Sequence, residues 1–355
     1  ECTSTAGESV RVDNDPDLLV YYPFNRDLND YSPDNGSRAN GYPYNLVDTS
    51  NSIAFGEGCA FGISAYFDGD RGLSSSSAND GTYAENTSFN QLDVPDNWTL
   101  SLWLNPDGDM EMYSSAFASG DNPNGPDFQI DLDDSATPLG RIRAYNKNGK
   151  TLKGPILELN SWYHIALVHY ANDQASFYVN GKHQQSTGSA TNDLWKSYWS
   201  ARNRYLWRQI KIGINRQGKK NWKGYVDEVK IFGRSFSTDE ILNLYQLSLP
   251  PIIDNLAATS DGTGTSSITL TWNAVQVADN YTVYKLEQST GGLSGIINFD
   301  QINLGNSVPG VITIPSVAPS CRSGTCSYTD SGLTNNKYYY YRVSAVNAIG
   351  TGNVA

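Results

Sequence analysis

The sequence predicts an all-β protein of two antiparallel two-sheet sandwiches, a larger one followed by a smaller one. Three observations carry the prediction. Short apolar, β-prone runs recur along the whole chain, each bounded by Gly, Asn, Asp or Pro. Aromatic residues reach 12%, with 23 Tyr and 8 Trp, while charged residues reach only 17% and there are 2 Met, a balance that favours β-rich modules over helical ones. At 355 residues the chain exceeds what one small core organises, and the pair Pro250-Pro251 punctuates it.

In chain order, residues 1–16 are polar and weakly patterned and read as a tether. Strands are expected at Leu18–Phe24, Ala65–Phe67, Trp98–Leu104, Asp127–Ile130, Trp162–Val168, Ala175–Val179, Ile210–Gly213 and Gly224–Phe232. Asn180-Gly181 reads as a type I′ hairpin turn, because Asn and Gly tolerate the positive φ it requires. Ser237–Tyr245 has N-cap candidates followed by an apolar stripe, so a short helix is expected there. Leu249-Pro250-Pro251 then acts as a stiff linker, since proline lacks the backbone donor and disfavours helix before it. The expected domains are residues 17–248 and 249–355.

In the second domain, strands are expected at Ser267–Trp272, Asn280–Tyr284 and Tyr338–Val346. The stretch Glu287–Ser327 is rich in Gly, Ser, Asn and Pro and reads as an insertion. The chain stops at Ala355 where a last strand would still be forming, so the second domain is expected to be truncated and its parent to continue.

The net charge of −12 argues against a general nucleic-acid binder, which needs a basic surface. No run of eighteen or more apolar residues signals a membrane span, and the N-terminus lacks the pattern of an intact signal peptide. The four cysteines form an even set. Cys321 and Cys326 suit a disulfide-closed loop around Ser-Gly, which favours an extracellular or cell-surface protein. Cys2 and Cys59 are the remaining pairing, with lipid attachment at Cys2 as the alternative.

Several pieces occur together: Tyr21-Tyr22-Pro23-Phe24 with Leu28-Asn29-Asp30-Tyr31-Ser32, Ala65–Gly69, Trp98–Trp103, Ser161–Leu167, Tyr178–Lys182 and Gly224–Phe232 before the helix. In this order they make the first domain resemble the laminin-G-like, concanavalin-A-like jelly-roll family over roughly Leu18 to Leu247. Such a resemblance is specific for fold and not for ligand. The second domain resembles fibronectin type III, an immunoglobulin-like sandwich. Leu270-Thr271-Trp272 supplies its buried Trp, and Leu333, Tyr339, Tyr341, Arg342 and Val343 resemble its tyrosine-corner strand.

The first resemblance implies a structural Ca²⁺ at the oxygen-rich loop Asp30–Gly36. Asp30, Ser32 and Asn35 would ligate it near Asp227 of the final strand. The alternative is an Asx-turn loop without metal. Asp121–Asp127 is a weaker cation candidate, outweighed by a turn-rich loop.

The most informative segment is Asn192–Lys223. Trp195, Tyr198, Trp199, Tyr205, Trp207 and Trp222 interleave there with nine basic residues, among them Arg202, Arg204 and Arg208, against the single acid Asp193. Aromatic rings stack on sugar faces and Arg forks pair with carboxylate or sulfate, so the segment suits an anionic polysaccharide. Against this stands a packing role for the indoles, with the bases paired internally.

A second basic cluster, Arg141, Arg143, Lys147, Lys150 and Lys153, reads as a solvated hairpin, and Asp131 with Asp133 as a solvated edge or cation site. His164 reads as a satisfied inner-face residue. The chain shows no paired-carboxylate array for glycoside hydrolysis and no Ser-His-Asp or Cys-His arrangement.

The reading is therefore a non-catalytic, exported carbohydrate-binding or adhesion module whose partner is a polysaccharide or cell-surface glycan. The alternatives are a structural or adhesive spacer of a longer surface protein or fibre, and a polysaccharide-cleaving enzyme.

Overall fold

The computed structural model describes residues 15–24, 27–32, 45–48, 53–56, 64–69, 84–85, 92–108, 110–119, 128–133, 140–146, 149–188, 205–207, 210–249, 253, 255–260, 266–275, 278, 280–288, 311–317, 320–322, 324–347 and 351–352. They divide into two compact units, 1–245 and 246–355.

Unit 1 is an all-β sandwich. One sheet runs β14 (Lys182–Ser186), β13 (Ala175–Val179), β12 (Tyr163–His169), β7 (Trp98–Pro106), β17 (Lys223–Phe232), β4 (Ser64–Asp68) and β3 (Ala54–Gly56), with β1 (Leu18–Tyr22) also on β17. The other runs β11 (Thr151–Ile156), β10 (Arg141–Asn146), β9 (Phe128–Asp133), β8 (Ser115–Ser119), β16 (Ile210–Ile212), β5 (Ala84–Glu85) and β2 (Val47–Asp48). A separate ribbon pairs β15 (Tyr205–Trp207) with β6 (Leu92–Val94). The strand pairings are antiparallel, as the sequence predicts.

Alternation builds the core. From the first sheet Phe67, Leu100, Leu102, Leu104, Ile165, Leu167 and Phe177 point inward. They meet Phe117, Phe128, Ile130, Leu132, Ile142, Ala144, Leu152 and Ile212 from the second. Strand β17 changes phase midway. Val226 faces the core, then Glu228 adopts φ 50° at a bulge, and Val229 and Ile231 face the core in turn.

The outer side of the first sheet is also covered. Leu18, Tyr21, Ala166, Val168, Tyr178, Phe232, Phe236 and Ile241 form a second cluster under helix α1 (Thr238–Gln246). The helix begins with a capping box: the Glu240 amide donates to Ser237 Oγ at 3.3 Å, and Ser237 N donates to Glu240 Oε2 at 2.8 Å. Asn180 and Gly181 have φ of 50° and 72°, as the type I′ turn requires, and any side chain at position 181 would press on Leu242 and Tyr245 of the helix.

His164 belongs to this outer side, which corrects its expected place on the inner face. It alternates with the core residues Ile165 and Leu167, and its ring lies against Trp103 and Tyr245. Its Nε2 bonds Ser101 Oγ at 2.9 Å, while Nδ1 is buried without a partner, so the ring is only half satisfied.

Unit 2 has two sheets, β18 (Ala257–Ser260), β19 (Ser267–Asn273), β23 (Thr325–Ser331), β22 (Ser320–Arg322) and β21 (Val311–Val317), β20 (Asn280–Gln288), β24 (Tyr338–Val346). Trp272, Tyr281, Val283, Val343 and Ala345 form its core. The Cys321–Cys326 disulfide joins directly opposed residues of β22 and β23. The Tyr339 hydroxyl accepts from Thr334 N at 2.8 Å. Strands β21 and β22 lie within the stretch read as an insertion. Among the described residues no helix is long and apolar enough to cross a membrane.

Burial, with the Lys230 charge adding to it, lowers the His164 pKa to about 3. The unfolded chain takes up a proton there below about pH 6.5 and the folded one does not. Stability from this site is therefore complete above that pH and lost toward pH 3, at up to about 1.4 kcal/mol per pH unit. Relative to wild type, His164→Gln should gain melting temperature at pH 4.5 compared with pH 7.5; an equal difference at both pH values contradicts the assignment.

Candidate functional site

Cross-strand register places one set of side chains together on the outer face of the seven-stranded sheet. Tyr145 of β10 stands opposite Gln129 of β9, Gln129 opposite Ala118 of β8, and Ala118 opposite Lys211 of β16. In the adjacent row Asp131 stands opposite Arg143, and Arg143 opposite Lys153 of β11. The intervening residues Ile130, Ile142, Ala144 and Leu152 are in the core, so alternation sends this polar set the other way.

The face is knit by charge and rings. Arg143 grips Asp131 through Nε at 2.6 Å and Nη2 at 3.2 Å, and reaches Asp133 through Nη1 at 3.0 Å. Gln129 Nε2 also donates to Asp131, and Lys153 Nζ lies 3.0 Å from Asp133. Burial pushes the Asp131 carboxyl up, while the Arg143 hydrogen bonds and charge pull it back. The Arg143 guanidinium carbon lies 5.0 Å from the Tyr113 ring centroid and 4.9 Å from that of Tyr145, and Arg216 lies 5.8 Å from Tyr145. Tyr113 is exposed and Tyr145 half-buried, so two rings reach the surface with guanidinium groups against them.

Tyr113 holds φ 74°, a left-handed conformation that costs a bulky residue about 1–3 kcal/mol. It is retained by a hydrogen bond from its amide to Leu132 O at 2.8 Å. Lys220, beyond the turn that carries Arg216, is ion-paired to Glu111 beside Tyr113.

Two sequence expectations are corrected here. Arg143 and Asp131 are neither a solvated hairpin nor a solvated edge, because each is the other's buried partner. Trp222 is not a sugar platform: it is 0% exposed within the core, since position 222 shares the inward phase of Val226. Of the other proposed sugar contacts, Trp195, Trp199, Arg202, Arg204 and Arg208 lie outside the described residues. Tyr205 and Trp207 are described only through the backbone of β15.

Asp30, Ser32 and Asp227 are buried. Asp30 Oδ1 accepts from Tyr21 N at 3.0 Å and Ser32 N at 3.1 Å, an Asx turn that ties the loop to β1. Ser32 Oγ donates to Leu19 O at 3.2 Å, and Asp227 Oδ1 accepts from Glu228 N at 2.8 Å. These atoms thus do structural work, and among the described residues no three His, Cys, Asp or Glu side chains gather as a metal site. Asn35, Cys2, Cys59, Lys147 and the loop 121–127 lie outside the described residues.

Residues 76–242 match the family model of the concanavalin A-like lectin/glucanases superfamily. No curated protein sequence matches the chain. Among solved structures, domain 4 of an extracellular GH43 arabinanase from Geobacillus stearothermophilus, in complex with arabinotriose, is 19% identical at a TM-score of 0.44, over 64% of this chain and 98% of that one. The binding domain of Paraclostridial Mosquitocidal Protein 1 is 15% identical at 0.45, over 72% and 64%. The sialyllactose-bound CBM40 of a Ruminococcus gnavus sialidase is 14% identical at 0.34, over 43% and 83%. At these scores they are likenesses and carry nothing further.

Arg143→Ala should destabilise unit 1 by about 3–5 kcal/mol, because it strands a carboxylate that is 0% exposed. The double variant with Asp131→Asn should recover part of that loss; chemical denaturation measures both. The calcium expected at Asp30 and Asp227 is tested separately, by a fall in melting temperature on adding EDTA that Asp227→Ala abolishes.

Proposed function

We propose that unit 1 is a non-catalytic carbohydrate-binding module that takes its glycan on the polar face of the seven-stranded sheet. The observation that carries this is the alternation of ring and guanidinium along Tyr113, Arg143, Tyr145 and Arg216. Tyrosine rings offer flat apolar surfaces to the C–H faces of a sugar, Arg143 holds them in place from below, and the half-buried Arg216 brings a guanidinium to the sugar's hydroxyls or acidic groups. A left-handed tyrosine is costly, and such strain concentrates at ligand clamps.

Binding fits the carboxylates better than cleavage does. Glycoside hydrolysis needs two acids presented to the scissile bond. Here Asp131 is committed to Arg143 and Gln129, and Asp133 to Arg143 and Lys153.

The basic aromatic segment of Trp195, Trp199, Arg202, Arg204, Tyr205, Trp207 and Arg208 forms the second part of the proposal. It leads directly in sequence into β16, whose Lys211 belongs to this face. Unit 2 is read as a fibronectin type III-like spacer, supported by buried Trp272 and the Tyr339–Thr334 bond. The Cys321–Cys326 disulfide supports an extracellular or cell-surface location.

Tyr113→Gly separates function from structure, since glycine relieves the strained φ while removing the ring. Glycan affinity should fall about tenfold, roughly 1.4 kcal/mol, with the melting temperature held or raised. Tyr145→Ala, Trp199→Ala and Arg204→Ala should each weaken binding, and wild-type binding should weaken as ionic strength rises. Equal, weak retention across all glycans by wild type would instead favour a structural or adhesive spacer, and products released from polysaccharide would favour an enzyme.

A further inference from the structure

One corner of the same face is rich in donors and poor in acceptors. Lys211 is 8% exposed, and its amine donates to Arg216 O at 3.3 Å. Glu85 of β5 stands opposite it in the ladder, but no ion pair joins Lys211 to an acid among the described residues, and Asp131 and Asp133 are held by Arg143 and Lys153. An ammonium group carries three donors, and a desolvated one is unfavourable without a counter-ion.

A second, independent orphan lies on the returning arm of the hairpin that follows β16. Asn221 is 7% exposed and its buried Nδ2 has no acceptor among the described residues. Its backbone bridges Ile214 and Ser115, and its neighbour Trp222 enters the core, so alternation turns Asn221 to the polar side. Between these elements runs the turn of Arg216, whose guanidinium lies over the Tyr145 ring. A neutral hydroxyl would meet only part of this demand. A group with several acceptor oxygens and a negative charge meets all of it.

Resting on the proposed function, we infer that the corner of Lys211, Arg216 and Asn221 is a subsite for an anionic substituent, carboxylate or sulfate, of the sugar that stacks on Tyr145. The module is then selective for acidic glycans. The buried lysine supplies the charge from below, the half-buried Arg216 closes over it, and the Asn221 amide adds a directional donor.

The test uses the full chain on a glycan array holding neutral, carboxylated and sulfated glycans, followed by calorimetry on each bound glycan and on its methyl-esterified or desulfated form. Bound glycans should carry carboxylate or sulfate, and masking or removing that group should cost tenfold or more. Which class is retained identifies the source of the charge. Lys211→Met should bind native and masked glycans equally, with an unchanged or raised melting temperature; Arg216→Gln, at the half-exposed position, should lose the same discrimination if the first variant fails to fold. Neutral glycans bound as tightly as acidic ones, or variants that keep the preference, overturn this subsite and leave the proposed function standing. No glycan bound at all overturns both.

Discussion

The facing of Arg143 and Asp131 across β9 and β10 governs what the outer side of the seven-stranded sheet can be. A buried carboxylate is tolerable only when its charge and lone pairs are met, and Arg143 meets them with two nitrogens while Gln129 supplies a third donor. That grip also fixes the guanidinium plane, which is why the rings of Tyr113 and Tyr145 can lie against it at nearly equal distance. The pair is a poor source of net stability, because two charges have left water to form it. What it supplies is position: β9 and β10 cannot slip by one residue without sending both charges into the core.

The same alternation explains the division of labour between the sheets. Strand β12 buries both sides, with Ile165 and Leu167 toward the sandwich and Ala166 and Val168 under the helix. That sheet has no face left for a ligand along β12. Strands β9 and β10 turn apolar residues to one side only; their other side carries Gln129, Asp131 and Arg143, buried against one another, and half-buried Tyr145. The Glu228 bulge belongs to the covered sheet, where it lets one strand keep its apolar residues inward across a phase change.

Much of the fold was legible because its strands announce themselves. Trp98–Leu104, Ala175–Val179 and Gly224–Phe232 are dominated by apolar and β-branched residues, and Asn180-Gly181 marks its turn by chemistry. The site was not legible, for a physical reason. In Arg141–Asn146 the apolar positions are only Ile142 and Ala144, so a strand with one charged face reads as a polar hairpin. The alternation Arg-Ile-Arg-Ala-Tyr was the available signal, and pairing it with Gln-Ile-Asp-Leu-Asp of Gln129–Asp133 would have brought Arg143 to Asp131. Trp222 misled in the opposite sense: its basic neighbours suggest a surface, yet strand phase decides which way an indole points.

Two lysines of unit 1 are nearly equally buried and differ in everything else. Lys230, 6% exposed, lies 2.6 Å from Glu228 and over the Tyr21 ring, and Tyr21 in turn donates to Glu228 at 2.7 Å. Every charge in that cluster is answered within the fold, on the covered side of the sandwich. Lys211, with Glu85 opposite it in the ladder, is met among the described residues by a backbone carbonyl and by no ion-paired acid, on the side where Tyr113 and Tyr145 reach the surface. Burial alone therefore does not separate the two; the identity of the partner does. On the proposed reading, the lysine that the fold neutralises is structural, and the one short of acceptors is the one that takes an anion from outside.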